Sequence, residues 1–227
     1  MIAYGRNTVL EAVKCGLASH IYIKKGANLY DATFNLPVSV VGKEEFDGRF
    51  GREAQGLAAE VTDIATISLD SASIALKEER GIVVLDRIQD PHNYGAIIRS
   101  SHCFGLNYVA VPRYNQAHIT GAVCKASAGA IFYTKVIEET NLSVLCTRLK
   151  KLGFKVIACD MDGELTLREV RAQKHDKIAL VLGAEGHGVR ESLREATDCI
   201  ARIEMASGFD SLNVAQSASI ALYELFS

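Results

Sequence analysis

The sequence predicts an α/β protein: a mostly parallel sheet flanked by helices, preceded by a small N-terminal α/β unit. Three observations predict it. From Gly81 onward, apolar runs of four or five residues alternate with stretches of helical spacing, the pattern of strands covered on both faces. Polar residues and glycines recur where those runs end, as expected of a parallel sheet whose ligand site lies beyond its strand ends. Between the two units, Ser68-Leu69-Asp70-Ser71-Ala72-Ser73 is small and polar, and Lys77-Glu78-Glu79-Arg80 is charged, so a linker is placed at 67–79.

The first unit, 1–66, opens with a helical pattern over 7–13 that stops near Gly16. Ile21-Tyr22-Ile23 and 37–41 read as short strands, 44–50 as a short helix, and 57–61 as a closing strand. The second unit, 80–227, begins with the buried run Ile82-Val83-Val84-Leu85. A helix over 94–104 ends at Gly105, whose lack of a Cβ suits the left-handed residue after a helix. Tyr108-Val109-Ala110-Val111 is the next strand, 119–125 is helical, and 132–137 is a strand. An amphipathic helix over 142–152 ends at Gly153. Strands follow at 154–158, 178–182 and 199–205, then a last helix over 212–226.

The 227 residues carry a net charge of −2, which does not by itself announce a polyanion partner. The distribution is uneven. Residues 87–135 contain Arg87, Arg99, Arg113, Lys125 and Lys135 against the single acid Asp90, and also His92, His102 and His118. A basic stretch in an acidic chain suggests a face for phosphates, although a solvated helix surface gives the same count. Six cysteines are widely spaced with no C-x-x-C, so no metal site is expected and a reducing compartment is. The start, Met1-Ile2-Ala3-Tyr4-Gly5-Arg6, lacks a signal-peptide layout, and no apolar run approaches the roughly 20 residues of a membrane span. A cytoplasmic protein is expected.

Three segments carry chemistry. In Asp90-Pro91-His92-Asn93-Tyr94-Gly95-Ala96-Ile97-Ile98-Arg99, proline closes the strand and Asn93 is a natural N-cap for the helix bearing Arg99. A guanidinium fork near a helix start suits a phosphate or oxyanion; plain capping with a solvated arginine fits equally. Gly183-Ala184-Glu185-Gly186-His187-Gly188 follows a strand, and its glycines let backbone approach a ligand. Its G-x-x-G-x-G spacing misses the dinucleotide fingerprint, and Glu185 would repel a pyrophosphate. The segment also reads as an ordinary strand-to-helix turn with an acid at a helix start. Ser211-Leu212-Asn213-Val214-Ala215 opens the last helix, with Ser211 as N-cap and Asn213 in the first turn, or simply a capped core helix.

Taken in order, the segments resemble the SpoU (TrmH-like) family of RNA ribose 2′-O-methyltransferases of the SPOUT superfamily. Its asparagine-x-glycine-alanine and arginine motif is matched at Asn93, Gly95, Ala96 and Arg99. Its glycine-x-glutamate-glycine loop is matched at Gly183, Glu185, Gly186 and Gly188, and its serine-leucine-asparagine-valine motif at Ser211 to Val214. Lys125-Ala126-Ser127-Ala128-Gly129-Ala130 resembles a further family stretch. Glu204 stands between Ile203 and Met205 where the family often has proline. The match spans about 80–227. The N-terminal unit resembles the family's L30e-like RNA-binding domain at Tyr4-Gly5-Arg6-Asn7 and at Gln55-Gly56, with Ala54 where histidine is common. Members acting on a guanosine of 23S rRNA are the most similar.

The resemblance implies S-adenosyl-L-methionine as cofactor, held in a C-terminal trefoil knot by Ala128, Gly129, Leu182, Gly183, Gly186, Ile203, Met205 and Leu212. It implies a homodimer acting on RNA, with rRNA preferred and tRNA the alternative. Arg99 takes the place of the family's catalytic arginine, with Asn93, Glu185, Ser211 and Asn213 orienting it, the loop or the ribose. An arginine is a difficult base because its pKa exceeds about 12, so positioning a phosphate and steadying the developing alkoxide suit it better. The base is then a phosphate oxygen, a water or a deprotonated Arg99. Arg113, Lys125 and His118 are candidates for phosphate contact, and Tyr94 and Tyr114 for stacking on a base. A nucleotide-dependent oxidoreductase would need a G-x-G-x-x-G that is absent. A relative without catalysis would be expected to lose Asn93, Arg99, Glu185 or Asn213.

Overall fold

The computed structural model describes residues 1–28, 34–184, 186, 188–206 and 212–227. The first unit is a mixed four-stranded sheet: β1 (Ile2–Tyr4), β2 (Ala18–Lys24), β3 (Val38–Val41) and β4 (Leu57–Val61), in the order β1-β4-β2-β3. Helix α1 (Arg6–Lys14) buries Thr8, Val9 and Ala12, and α2 (Lys43–Phe50) buries Phe46 and Phe50. The turn before β4 uses left-handed backbone at Gln55 and Gly56, and a Cβ on Gly56 would come within 2.8 Å of Ala27. The sequence reading lacked β1, which is too short for an alternation to register.

The second unit is a seven-stranded parallel sheet. In chain order it holds β5 (Gly81–Leu85), β6 (Tyr108–Pro112), β7 (Lys135–Glu139), β8 (Lys155–Cys159), β9 (Leu165–Thr166), β10 (Ile178–Leu182) and β11 (Cys199–Arg202). In space the order is β7-β6-β5-β10-β8-β11-β9. Successive residues of the central strands face opposite layers. Val83, Leu85, Leu180 and Leu182 join one core with α4 (Pro91–Cys103), α5 (Gly121–Ala126), α7 (Leu167–Ala172) and α9 (Val214–Phe226). Ile82, Val84, Ala179 and Val181 join another with α3 (Leu69–Ala72), α6 (Leu142–Lys151) and α8 (Glu191–Arg194). β10 is inserted between β5 and β8, and β11 between β8 and β9, before α9 returns to pack on α4. No helix among the described residues is long and apolar enough to cross a membrane.

Three boundaries differ from the sequence reading. Residues 132–133 fall in a 3-10 turn and β7 starts at Lys135, so the strand lies further along. β11 ends at Arg202, which leaves Ile203 and Met205 beyond the strand. The segment 67–79 is folded onto the second unit: Ile67 bridges to Ile137, and Leu69, Ala72 and Leu76 are buried. Its polar residues face outward, which is why it reads as a linker.

The two units share a core. Ala3, Val9, Ile21 and Ala59 pack in one cluster with Val123, Cys124 and Ile131. Gly121 permits this contact, because a Cβ there would lie 2.4 Å from the carbonyl oxygen of Ile2. Thr8 Oγ1 donates to the Cys124 carbonyl at 3.3 Å, and the Tyr133 hydroxyl donates to Glu11 Oε2 at 2.7 Å.

Candidate active site

Because every strand pair of the second sheet is parallel, the loops after β5, β6, β8, β10 and β11 emerge at one edge. Two hollows lie there. The larger, about 650 Å³, is lined by Cys159, Asp160, Met161 and Asp162 after β8, by Leu182, Gly183, Ala184, Gly186 and Gly188 after β10, by Arg194, by Ile203 and Met205 after β11, and by Leu212, Asn213, Val214 and Ser217 at the start of α9. The smaller, about 540 Å³, is lined by Arg87, Ile88, Gln89, Asp90, Asn93, Asn115, Ala184 and Val214. Ala184 and Val214 wall both.

The glycine loop after β10 is a tight reversal, with Gly188 N–H donating to the Ala184 carbonyl at 3.0 Å. A Cβ on Gly183 would lie 2.1 Å from the carbonyl carbon of Gly188, so only glycine lets the two arms touch. β10 sits between β5 and β8, and a carboxylate at the end of each neighbour holds the loop. Asp160 Oδ2 accepts from Val189 N–H at 3.0 Å and faces Arg194 at 3.3 Å. Asp86, fully buried, accepts from Arg190 N–H at 3.2 Å and from its Nε at 3.1 Å. At the rim, Arg194 grips Asp162 through two 2.9 Å hydrogen bonds, which hold that carboxyl below its usual range. Burial pushes the Cys159 thiol up to about 12, so the cavity floor carries no thiolate near neutrality.

Of the residues expected to hold the cofactor, Leu182, Gly183, Gly186, Ile203, Met205 and Leu212 line the larger cavity. Ala128 and Gly129 do not. They form the left-handed turn after α5, where a Cβ on Gly129 would meet Glu11 at 2.6 Å, so they serve the contact with α1. Glu204 is exposed between two cavity residues. Glu185 and Ser211 lie outside the described residues.

The two asparagines meet. Asn213 Nδ2 donates to Asn93 Oδ1 at 3.1 Å. The capping roles differ from the sequence reading. Asp90 caps α4, accepting from His92 N–H at 2.9 Å, and Pro91 supplies the first turn. Asn93 thus sits inside the helix, and its side chain reaches α9. Asn213 caps α9, accepting from Ala215 N–H at 2.9 Å and Gln216 N–H at 3.4 Å.

Arg99 is exposed on α4, whereas Gly95 and Ile98 of the same helix are buried. It lines neither hollow of its own chain. Tyr94 is buried to 1 % exposure and cannot stack on a base, whereas Tyr114 is exposed. The basic stretch does not form one face. Arg113 follows β6 and pairs with Glu138 at 3.2 Å, Lys125 lies over the Tyr4 ring, and Lys135 begins β7 at the other end of the sheet. His118 is exposed.

Sequence reasoning missed Asp160, Asp162, Arg194 and Asp86. Asp160-Met161-Asp162-Gly163 follows an apolar strand run as the other segments do, so the strand-end rule would have found it.

The model of the SpoU rRNA methylase family matches residues 80–223. This chain belongs to the SpoU rRNA methylase family. A TrmH family relative from Staphylococcus haemolyticus is 30% identical over 238 residues, covering 100% of this chain and 95% of the relative. The 23S rRNA (guanosine-2′-O-)-methyltransferase RlmB of Coxiella burnetii is 31% identical over 194 residues, covering 84% of this chain and 76% of that protein. Among solved structures, the SpoU methyltransferase AviRb from Streptomyces viridochromogenes in complex with AdoMet shares the fold. Its TM-score is 0.79 at 20% identity, covering 100% of this chain and 89% of that one. The SpoU match begins at β5 and ends within α9, so it contains both hollows and the Asn93–Asn213 bond.

Proposed function

We propose that this chain, an RNA methyltransferase that uses S-adenosylmethionine, methylates a ribose 2′-hydroxyl, on a guanosine of 23S rRNA. The Asn213–Asn93 bond carries this reading: it joins the first and third motif segments at the wall of the cavity that the second lines. The ribose position and the guanosine are supported by the relative from Coxiella burnetii.

The residues of the larger cavity fit the cofactor. Its volume lies within the roughly 300–1,000 Å³ of small-molecule sites. Leu182, Ile203, Met205 and Leu212 offer apolar surface to a flat ring, and the bare backbone of Gly183 lets that ring come close. Asp160, Asp162 and Arg194 offer partners to hydroxyl, amino and carboxylate groups. When bound, the cofactor supplies a methyl group activated by a sulfonium.

The chain's own task is to place the ribose and to stabilise the oxygen as its proton leaves. Asn93 and Asn213 stand where the two hollows meet and would orient the ribose. Arg99 would hold the neighbouring phosphate and steady the alkoxide. Since Arg99 lines neither hollow of its own chain, it would act on a partner subunit's site. The outer faces of α4 and α9 support a homodimer there: Arg99 is exposed on α4, Ile220 and Tyr223 are exposed on α9, and Ser100 Oγ meets Ser219 Oγ at 2.8 Å where the two helices pack. The trefoil knot belongs to the same proposal, supported by the insertion of β10 and β11 before α9 returns to α4. Residues 1–66 would bind the RNA and 80–227 carry the reaction, in the cytoplasm.

Transfer of a labelled methyl group to total RNA, followed by mapping of the modified nucleotide, tests this. A 2′-O-methylguanosine in 23S rRNA is the expected product. Label on a base, or in tRNA alone, would overturn the assignment of the target.

A further inference from the structure

We propose that the smaller hollow seats the target nucleotide of the RNA, with Arg87 gripping its phosphate and Asn115 meeting its base; this rests on the methyltransferase reading above. Methyl transfer requires donor and acceptor atoms within about 3–3.5 Å, so the acceptor must bind against the donor cavity. The smaller hollow does so, because Ala184 and Val214 wall both. Its 540 Å³ is room for a nucleotide rather than for an isolated anion.

One side of the hollow, at Arg87, suits a phosphate. Asp86 is fully buried and faces two guanidinium groups, Arg190 at 2.8 Å and Arg87 at 3.4 Å. Asp86 is shared between the two arginines, and of the two it is Arg87 that lines the hollow, which places one cation there to meet a phosphate. Its Nε is buried against Asp86, and the side chain keeps 27 % of its surface exposed, so the outer end of the guanidinium is the part that can meet phosphate oxygens. Asp90 also lines the hollow, but its carboxylate is engaged at the start of α4, accepting from His92 N–H. A phosphate is therefore directed to the Arg87 side.

The two loops are built to hold that arrangement. Arg87 at φ 63° and Asn115 at φ 59° both adopt left-handed backbone, which side-chain-bearing residues seldom do. Ala117 N–H donates to the Ile88 carbonyl at 2.9 Å, and Ile88 N–H donates to Gln116 Oε1 at 2.9 Å, lacing one loop to the other. Asn115 is exposed on the rim, and its amide offers both a donor and an acceptor to a base edge.

The test uses the full chain, an unmodified 23S rRNA transcript, and Arg87→Gln, Arg87→Lys and Asn115→Asp. Filter binding at several salt concentrations reads RNA affinity, calorimetry reads S-adenosylmethionine affinity, and steady-state transfer separates KM from kcat. Arg87→Gln should weaken RNA binding and raise the RNA KM at least tenfold, with kcat changed less than threefold. S-adenosylmethionine affinity should stay within twofold, and the salt slope should fall by about one. Arg87→Lys should recover part of the loss. Asn115→Asp, at an exposed position, adds a negative charge to the rim and should also weaken RNA binding severalfold. Unchanged RNA affinity in Asn115→Asp and in a folded Arg87→Gln would overturn the proposal. So would a loss confined to the methyl donor, since Arg87 would then serve only Asp86. If the wild type binds the transcript yet methylates no RNA, the methyltransferase reading fails, while the RNA affinities still judge the hollow.

Discussion

Asn213 Nδ2 donates to Asn93 Oδ1 at 3.1 Å across 120 residues of sequence, while Asn213 Oδ1 caps α9. One side chain thus does two separable things. Asn213→Asp keeps the capping oxygen, and aspartate caps as well as asparagine. It loses the donor and sets a carboxylate against Asn93 Oδ1. Thermal melts should show the melting temperature within about 2 °C of wild type, and turnover should fall at least tenfold. Asn213→Ala should lose turnover and also about 1 kcal/mol of stability.

Arg99 is exposed on α4 and fills no core volume. Arg99→Ala should change unfolding free energy by no more than about 0.5 kcal/mol. It should leave S-adenosylmethionine affinity unchanged and reduce methyl transfer by at least 100-fold. If Arg99 works in the partner's site, mixing Arg99→Ala with Asn213→Ala subunits should restore activity, because each mixed dimer regains one intact site. No restoration after subunit exchange would show that Arg99 acts within its own chain.

Asp160 holds the glycine loop through Val189 N–H and faces Arg194. Asp160→Ala leaves both without that carboxylate while the fold around β8 keeps its apolar packing. Calorimetry should show S-adenosylmethionine binding weakened at least tenfold, with RNA affinity little changed. Equal affinity for the methyl donor would remove Asp160 from the loop's support.

Burial pushes the thiols of Cys124, Cys146 and Cys159 up to about 12. Their folded pKa values lie above the unfolded value near 9, so the stabilisation is fully present below about pH 9. It is lost as pH rises from there toward 12, at about 1.4 kcal/mol per pH unit for each thiol. Urea unfolding at pH 8, 9.5 and 10.5 should show a steep alkaline decline. Replacing Cys146 by Ala should flatten it. At pH 8, thiol reagents should label exposed Cys103 in the native protein and spare buried Cys124 and Cys146.

Most strands of the second sheet were legible, because a strand buried on both faces must be an unbroken apolar run such as Ile178–Leu182. The last helix was legible for the same kind of reason, as was the polar character of the strand ends. Caps were harder. Asp90 and Asn93 both suit an N-cap, and only the position of Pro91 at the first helical residue, with Asn93 drawn to Asn213, assigns the roles. The resemblance alone places Ala128 and Gly129 at the cofactor, and the structure sets Gly129 against Glu11 of α1, a long-range contact that no local pattern encodes.

The sequence by itself determined the parallel α/β class, the three motif segments and the family they resemble, since these rest on local periodicity and residue order. Only the tertiary structure decided that the glycine loop is held by Asp86 and Asp160 from the two flanking strands, that Asn93 and Asn213 touch, and that Arg99 lines neither hollow of its own chain. Those relations depend on β10 entering the sheet between β5 and β8. That insertion sets residues 29 to 120 positions apart side by side, and no local propensity encodes it.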